Sequence, residues 1–141
     1  MTHNEVAEIY EAYLRPLVSE LYELEGYETS LINAHDGGRN VVYNCEKEGA
    51  SAKILRIAYL NDRRREDLLG EVEYIQYLFE HGGSVSNVIS SRKGNLLEEI
   101  THNNRTFFVC LFEKARGKTL VENHYQQYTH LKILLQENLY Y

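Results

Sequence analysis

Aspartate is scarce in this chain of 141 residues: Asp36, Asp62 and Asp67 are the only three, and all lie in the first half. Cysteine is scarcer still. Cys45 and Cys110 stand alone without CxxC spacing, which excludes a disulfide framework or a cysteine-based metal site as a sequence reading. Each falls in a β-favouring stretch, where a thiol acts as a small hydrophobe. The histidines at 3, 35, 81, 102, 124 and 130 form no HExxH and no His/Cys pair, and read as surface or capping residues. No apolar run approaches the roughly 20 residues that a membrane-spanning helix needs. Positive charge is also short, with 15 Lys plus Arg against 21 Asp plus Glu and a net charge of −6. That balance speaks against a nucleic-acid binder, which shows a basic footprint. Arg63-Arg64-Arg65 is a local exception beside Glu66 and Asp67, and reads as a solvated, partly neutralised surface. The opening Met-Thr-His-Asn-Glu carries no charged-then-apolar signal region, so a cytoplasmic location is expected.

The remaining composition, 43% hydrophobic and 26% charged, suits one soluble domain with a single core. From Val6 to Leu24 apolar residues recur at helical spacing over five turns. Pro16, the one proline, interrupts that pattern and predicts a kink or two abutting helices near Arg15, with Gly26 ending the segment. Tyr27 to Ala34, Asn40 to Glu46 and Ser51 to Ala58 then read as strands joined by hairpin turns. Asn61 or Asp62 is placed to cap a helix along which Leu68, Leu69, Val72, Ile75, Gln76 and Phe79 share a side, broadened by Tyr74, Tyr77 and Leu78. His81-Gly82-Gly83 stops it. Val85 to Ser90, Leu96 to Ile100 and Thr106 to Phe112 read as further strands. These elements predict an α+β fold, an antiparallel sheet with one helix packed across it. No repeat or low-complexity segment is present.

Some positions in this framework can carry chemistry. The turn Asp36-Gly37-Gly38-Arg39-Asn40 has small residues that let backbone N–H groups approach phosphate oxygens, with Arg39 and Asn40 adding donors. Alternation puts Arg56 on the same face of its strand as Ile54 and Ala58. A guanidinium on so apolar a face needs a partner or a bound anion. Glu71, on the following helix, is a candidate partner; Glu73 points elsewhere. Taken singly, each feature also has a plain structural reading: a hairpin turn, an outward strand residue, one carboxylate among several. Their order is more informative, because protein kinases place a basic residue on the third strand to contact the α/β-phosphates and pair with a helix glutamate.

Residues 31 to 120 resemble the N-terminal lobe of the aminoglycoside phosphotransferase and choline-kinase-like family of small-molecule kinases. The likeness rests on Gly38-Arg39-Asn40-Val41-Val42-Tyr43, Ile54-Leu55-Arg56-Ile57, the stretch from Gly70 to Leu78, the step from Gly82-Gly83 to Val85, and Phe112-Glu113-Lys114-Ala115-Arg116-Gly117. The resemblance implies a kinase-like lobe with an antiparallel sheet of about five strands and one packed helix, preceded by the Pro16-kinked helix. It makes Gly37, Gly38, Arg39, Asn40, Arg56 and Glu71 nucleotide-binding residues. Phe112 stands where a bulky residue backs the adenine, and the Glu113 carbonyl and Ala115 amide would bond the base.

Three departures from the family pattern are visible. Arg56 replaces the family's common lysine, keeping the charge but changing reach and geometry. The glycine loop is short. The third departure concerns the second lobe, which supplies the family's catalytic Asp, a metal-binding Asn and a second Asp; no aspartate of this chain follows the Phe112 to Gly117 connector. Because phosphoryl transfer depends on positioning and charge neutralisation, no turnover by this chain alone is expected. ATP should bind weakly without a second lobe, and Mg2+ is not expected to be held. A catalytic-lobe partner or self-association would complete the molecule; the alternative is a non-catalytic interaction or regulatory domain that keeps the fold without nucleotide. The expected organisation is a helical segment over 1–26, the lobe over 27–120, and a tail over 121–141. Leu131, Leu134, Leu135 and Leu139 predict a short helix in that tail, and the early end of the chain suggests a truncated gene.

Overall fold

The computed structural model of the protein describes residues 2–32, 40–59 and 64–114. The chain opens with a helical segment in three parts: α1 (His3–Ile9), a π-helical turn over Tyr10–Leu14, and α2 (Arg15–Tyr22). Thr2 caps it by accepting a hydrogen bond from the Glu5 amide at 3.1 Å. The break expected near Arg15 is the π turn, where the Arg15 N–H reaches back five residues to the Tyr10 carbonyl. Pro16 follows at once. It has no N–H to give and its ring crowds the preceding turn, and one wider turn absorbs both. The segment ends earlier than predicted. Glu23 takes left-handed geometry (φ 55°) after Tyr22, and Gly26 (φ 83°) shapes the next turn instead of closing the helix.

Six strands follow, β1 (Glu28–Leu31), β2 (Asn40–Glu46), β3 (Lys53–Ala58), β4 (Val88–Ile89), β5 (Glu98–His102) and β6 (Arg105–Glu113), with α3 (Arg65–Glu80) between β3 and β4. They form one antiparallel sheet in the order β1-β2-β3-β6-β4, with β5 also paired to β6. The fourth strand is shorter than the predicted Val85 to Ser90. β5 pairs with residues 105–109 of β6, leaving only Leu111 and Phe112 for Ile89 and Val88. The turn between β5 and β6 has Asn103 and Asn104 both at positive φ, the geometry that matches strand twist in a two-residue hairpin.

Strand alternation buries both faces of the sheet. Val41, Tyr43, Cys45, Leu55, Ile57, Phe107, Val109 and Leu111 pack on the N-terminal segment through Val6, Tyr10, Leu14, Val18 and Tyr22. The Tyr22 hydroxyl donates to the Val109 carbonyl at 3.2 Å, tying that segment to the central strands. On the other face, Val42, Ile54, Ala58, Cys110 and Phe112 meet Leu68, Val72 and Ile75 of α3. The sheet is therefore a middle layer. Sequence periodicity identified the first helix but not that it covers the second face.

α3 begins at Arg65 with Arg64 at the N-cap and no side-chain cap; Asn61 and Asp62 lie outside the described residues. Glu66 and Asp67 in the first turn suit the positive end of the helix dipole. Leu68, Val72 and Ile75 are the buried positions, whereas Tyr74, Tyr77 and Phe79 are about half exposed. Leu69 and Leu78 pack partly buried on the same core, so the broad apolar side expected here narrows only at Tyr74, Tyr77 and Phe79, which lie off the stripe facing the sheet. Two reciprocal bonds close the helix, Gly82 N–H to the Phe79 carbonyl at 3.2 Å and Gly83 N–H to the Leu78 carbonyl at 2.7 Å. Gly82 has φ 82°, and a Cβ on Gly83 would sit 2.8 Å from the Leu78 carbonyl oxygen, so no side chain fits.

Candidate functional site

Arg56 lies on β3 at the centre of the sheet, opposite Val42 of β2 and Cys110 of β6. Alternation turns it toward α3, as the sequence predicted. It is 1% exposed, the largest fully buried side chain of the described residues. Glu71 reaches it from α3, with Arg56 Nη2 3.7 Å from Glu71 Oε2. That separation is a Coulombic contact beyond hydrogen-bonding range. The guanidinium carbon also sits 5.2 Å from the centre of the Phe112 ring, whose negative face attracts a cation. Nη1 and Nη2 are buried and have no hydrogen-bond acceptor among the described residues. Glu73 is exposed and turned away.

A buried cation whose paired nitrogens lack acceptors is costly unless something supplies them. The guanidinium fork matches two oxygens of a carboxylate or phosphate. Cys110 stands beside it. Burial pushes that thiol's pKa up, with the neighbouring Arg56 charge acting in the opposite direction. A thiol so held stays protonated and adds no competing anion. Cys45, in the other core, is likewise pushed up by burial, to about 11.

Phe112, expected to back an adenine ring, is fully buried opposite Ile54 and Val88 and forms the platform under Arg56. Asn40 begins β2, opposite Ala58, is 1% exposed, and shares the Arg56 face. Gly37, Gly38, Arg39 and Ala115 lie outside the described residues, as does the predicted tail helix. At the connector, Glu113 N–H donates to the Asn87 carbonyl at 2.9 Å and Lys114 N–H donates to the Ala52 carbonyl at 3.1 Å. A planar trans peptide points its carbonyl opposite to its N–H. The Glu113 carbonyl, in the same peptide as the Lys114 N–H, is therefore directed away from β3. The Lys114 ammonium crosses β3 to donate to Asn44 Oδ1 at 2.9 Å. Sequence reasoning assigned neither Asn44 nor Lys114 a role: they are 70 residues apart, and only the sheet register brings them together.

Among the described residues no cluster of His, Cys, Asp and Glu is suited to a metal ion. Of the three aspartates only Asp67 is described, and it pairs with Arg64 at 3.4 Å on the surface. Two open clefts lie elsewhere. One, of about 580 Å³, runs between α2 and β5 beside Leu17, Leu21 and Ile100; the other, of about 660 Å³, is lined by Gly26, Glu28 and Lys47. Neither includes Arg56 or Glu71. No described helix is long and apolar enough to cross a membrane.

No protein-family model matches the chain. Over 126 residues it is 24% identical to amicoumacin kinase of Bacillus subtilis (strain 168), covering 89% of this chain and 37% of that protein. The solved structure of the amicoumacin kinase hAmiN in complex with AMP-PNP, Ca2+ and Ami is 30% identical, with a TM-score of 0.67, over 83% of this chain and 35% of the other. A microcompartment-associated aminopropanol kinase shares the fold at 18% identity and a TM-score of 0.62, over 75% of this chain and 32% of its own. The chain thus spans about a third of the length of the relatives it matches. By these likenesses and the architecture above, the chain is related to the aminoglycoside-phosphotransferase-like small-molecule kinases and corresponds to their N-terminal lobe.

Proposed function

We propose that this lobe holds a nucleoside triphosphate, ATP by family likeness, with Arg56 as its phosphate-binding residue and Glu71 as the carboxylate that orients it. The observation that carries this reading is the buried Arg56 guanidinium, beside Glu71 and Phe112 and without a hydrogen-bond acceptor for Nη1 or Nη2 among the described residues. The Glu113 carbonyl and Ala115 amide are the proposed base contacts, and Gly37, Gly38, Arg39 and Asn40 the proposed phosphate turn. The lobe spans 27–120 in this reading, with 1–26 as its helical cover and 121–141 outside it, in a cytoplasmic setting. The 141-residue chain does not turn over by itself. Positioning of an acceptor hydroxyl and retention of Mg2+ fall to a second lobe, so that lobe is the expected partner. Titration of ATP or ADP, with and without Mg2+, should raise the melting temperature of the chain. Arg56→Ala should remove most of that rise, and identical flat curves for both proteins would dismiss the nucleotide.

A second reading, an interaction or regulatory domain without nucleotide, is favoured by one surface feature. Tyr74 and Tyr77 stand about half exposed on α3, with His81 stacked on Tyr77 at 4.0 Å between ring centres. Such amphipathic rings suit a protein contact. Light scattering after size exclusion separates the readings, since a ligand-free monomer at all concentrations supports neither.

A further inference from the structure

Among the described strands β5 bonds to β6 alone, in one unbroken register from Glu98↔Val109 to His102↔Arg105. Edge strands are commonly protected by a bulge, a proline or a lysine, and β5, reading Glu-Glu-Ile-Thr-His, has none of them. The direction of its backbone groups follows from β6. Glu113 N–H points to the β4 side of that strand and Lys114 N–H to the β3 side, so alternation turns Arg105, Phe107 and Val109 toward β5. Their partners His102, Ile100 and Glu98 therefore direct N–H and C=O groups to β6, and those of Glu99 and Thr101 face outward. The surface beside this edge is apolar. Leu17 is 50% and Tyr13 57% exposed, and Tyr13 stacks on His102 with ring centres 4.4 Å apart. The cleft beside Leu17 and Ile100 is also lined by Glu99 and Thr101, so it runs along the same edge.

We propose that β5 pairs with β5 of a second copy of this chain, antiparallel about a two-fold axis through Ile100. Register and charge select that occupant. Outward groups must meet outward groups, so Glu99 or Thr101 of one copy can oppose only Glu99 or Thr101 of the other. Glu99 opposite Glu99 sets like charges face to face, which is destabilising. Thr101 opposite Thr101 sets Glu99 against Asn103, whose positive φ has already left the strand. Glu99 opposite Thr101 has neither fault. Both symmetry-related pairs then exchange backbone bonds, Ile100 meets Ile100, and Glu98 meets His102. On that face one row across the joined sheet runs Glu98 of one copy, then His102 and Arg105 of the other, acid against base. The axis also turns Leu17 of each copy toward the other and covers apolar surface otherwise left to water. No part of this pairing involves Arg56 or a nucleotide, so it stands apart from the reading above.

Sedimentation equilibrium of the full chain should show its mass rising with concentration from monomer toward dimer. Thr101→Pro removes an outward donor and leaves the β5–β6 bonds in place. It should raise the dimer dissociation constant at least about ten-fold, with the urea midpoint of the dilute monomer unchanged. Leu17→Lys should act in the same direction without touching the strand. Oxidative cross-linking reads the register. Ile100→Cys should form a disulfide-linked dimer, because Cα atoms paired at such a site lie about 4.5 Å apart. Thr101→Cys, which faces Glu99 and not itself, should not cross-link. The parent is the blank, since Cys45 and Cys110 are both buried. A parent that stays monomeric at every concentration overturns the pairing, whether another strand covers the edge or none does. A dimer indifferent to both Thr101→Pro and Leu17→Lys also overturns it and points to the Tyr74 and Tyr77 face of α3. Cross-linking through Thr101→Cys but not Ile100→Cys overturns the Ile100 axis. Should Thr101→Pro fail to fold, Leu17→Lys and the cysteine pair decide.

Discussion

Methionine in place of Arg56 is expected to leave the free lobe as stable as the parent or more so, while abolishing its response to ADP. Arg56 is 1% exposed, its contact with the Glu71 carboxylate is 3.7 Å, and its Nη groups have no hydrogen-bond acceptor among the described residues. Desolvation of such a charge is only partly offset, and replacing buried ionic groups by apolar ones of similar volume is often neutral or stabilising by about 1–4 kcal/mol. Methionine also fills irregular space over the Phe112 ring well. Glu71→Ala should act in the opposite direction. It removes the countercharge and leaves the guanidinium buried, a loss of about 3–5 kcal/mol for a fully buried pair. Glu71 retains 21% exposure, so a value near the low end of that range is expected. In the double variant most of the Glu71→Ala loss should disappear. Urea unfolding of the four proteins reads all of these differences. Arg56→Met falling well below the parent in stability would identify a structural ion pair.

Removal of residues 1–24 should have the largest effect on folding. Val6, Tyr10, Leu14, Val18, Tyr22 and Leu24 are all at most 4% exposed and pack in one core with the buried residues of one face of the sheet. At about 1.5–3 kcal/mol for each buried side chain, their contribution is on the order of 9–18 kcal/mol. Total stabilities of single domains are about 5–15 kcal/mol, so the truncated chain should lack a cooperative urea transition. Tyr10→Ala alone should cost about 3–5 kcal/mol, the range for a large buried aromatic. A truncated chain that melts cooperatively near the parent would show the helical segment to be dispensable.

The same segment shows where sequence reasoning was complete and where it stopped. Helical periodicity from Val6 to Leu24 and the Pro16 interruption were both legible, since each is a local property of the chain. Which sheet face the helix covers depends on contacts such as Tyr22 to Val109, 87 residues away, and periodicity carries no such information. The strands were recovered, with ends off by one to three residues wherever pairing rather than propensity sets the limit, as at β4. At the candidate site, alternation along β3 placed Arg56 on the right face, and the order of elements made Glu71 its partner. The dryness of the guanidinium was not legible. It follows from Phe112 and Cys110 on a strand that lies next to β3 in space but not in sequence. The Lys114–Asn44 bond was hidden for the same reason.

The most direct measurement follows the Arg56 guanidinium itself while ADP is titrated into the full chain. In a ¹⁵N-resolved NMR spectrum, the Arg56 Nε–H resonance should move saturably, and Glu71→Ala should alter that response. Tripolyphosphate should move the same resonance. An Arg56 signal that stays still at ADP concentrations that saturate shifts elsewhere in the lobe, or a spectrum that no nucleotide perturbs, would contradict the proposed role of this arginine.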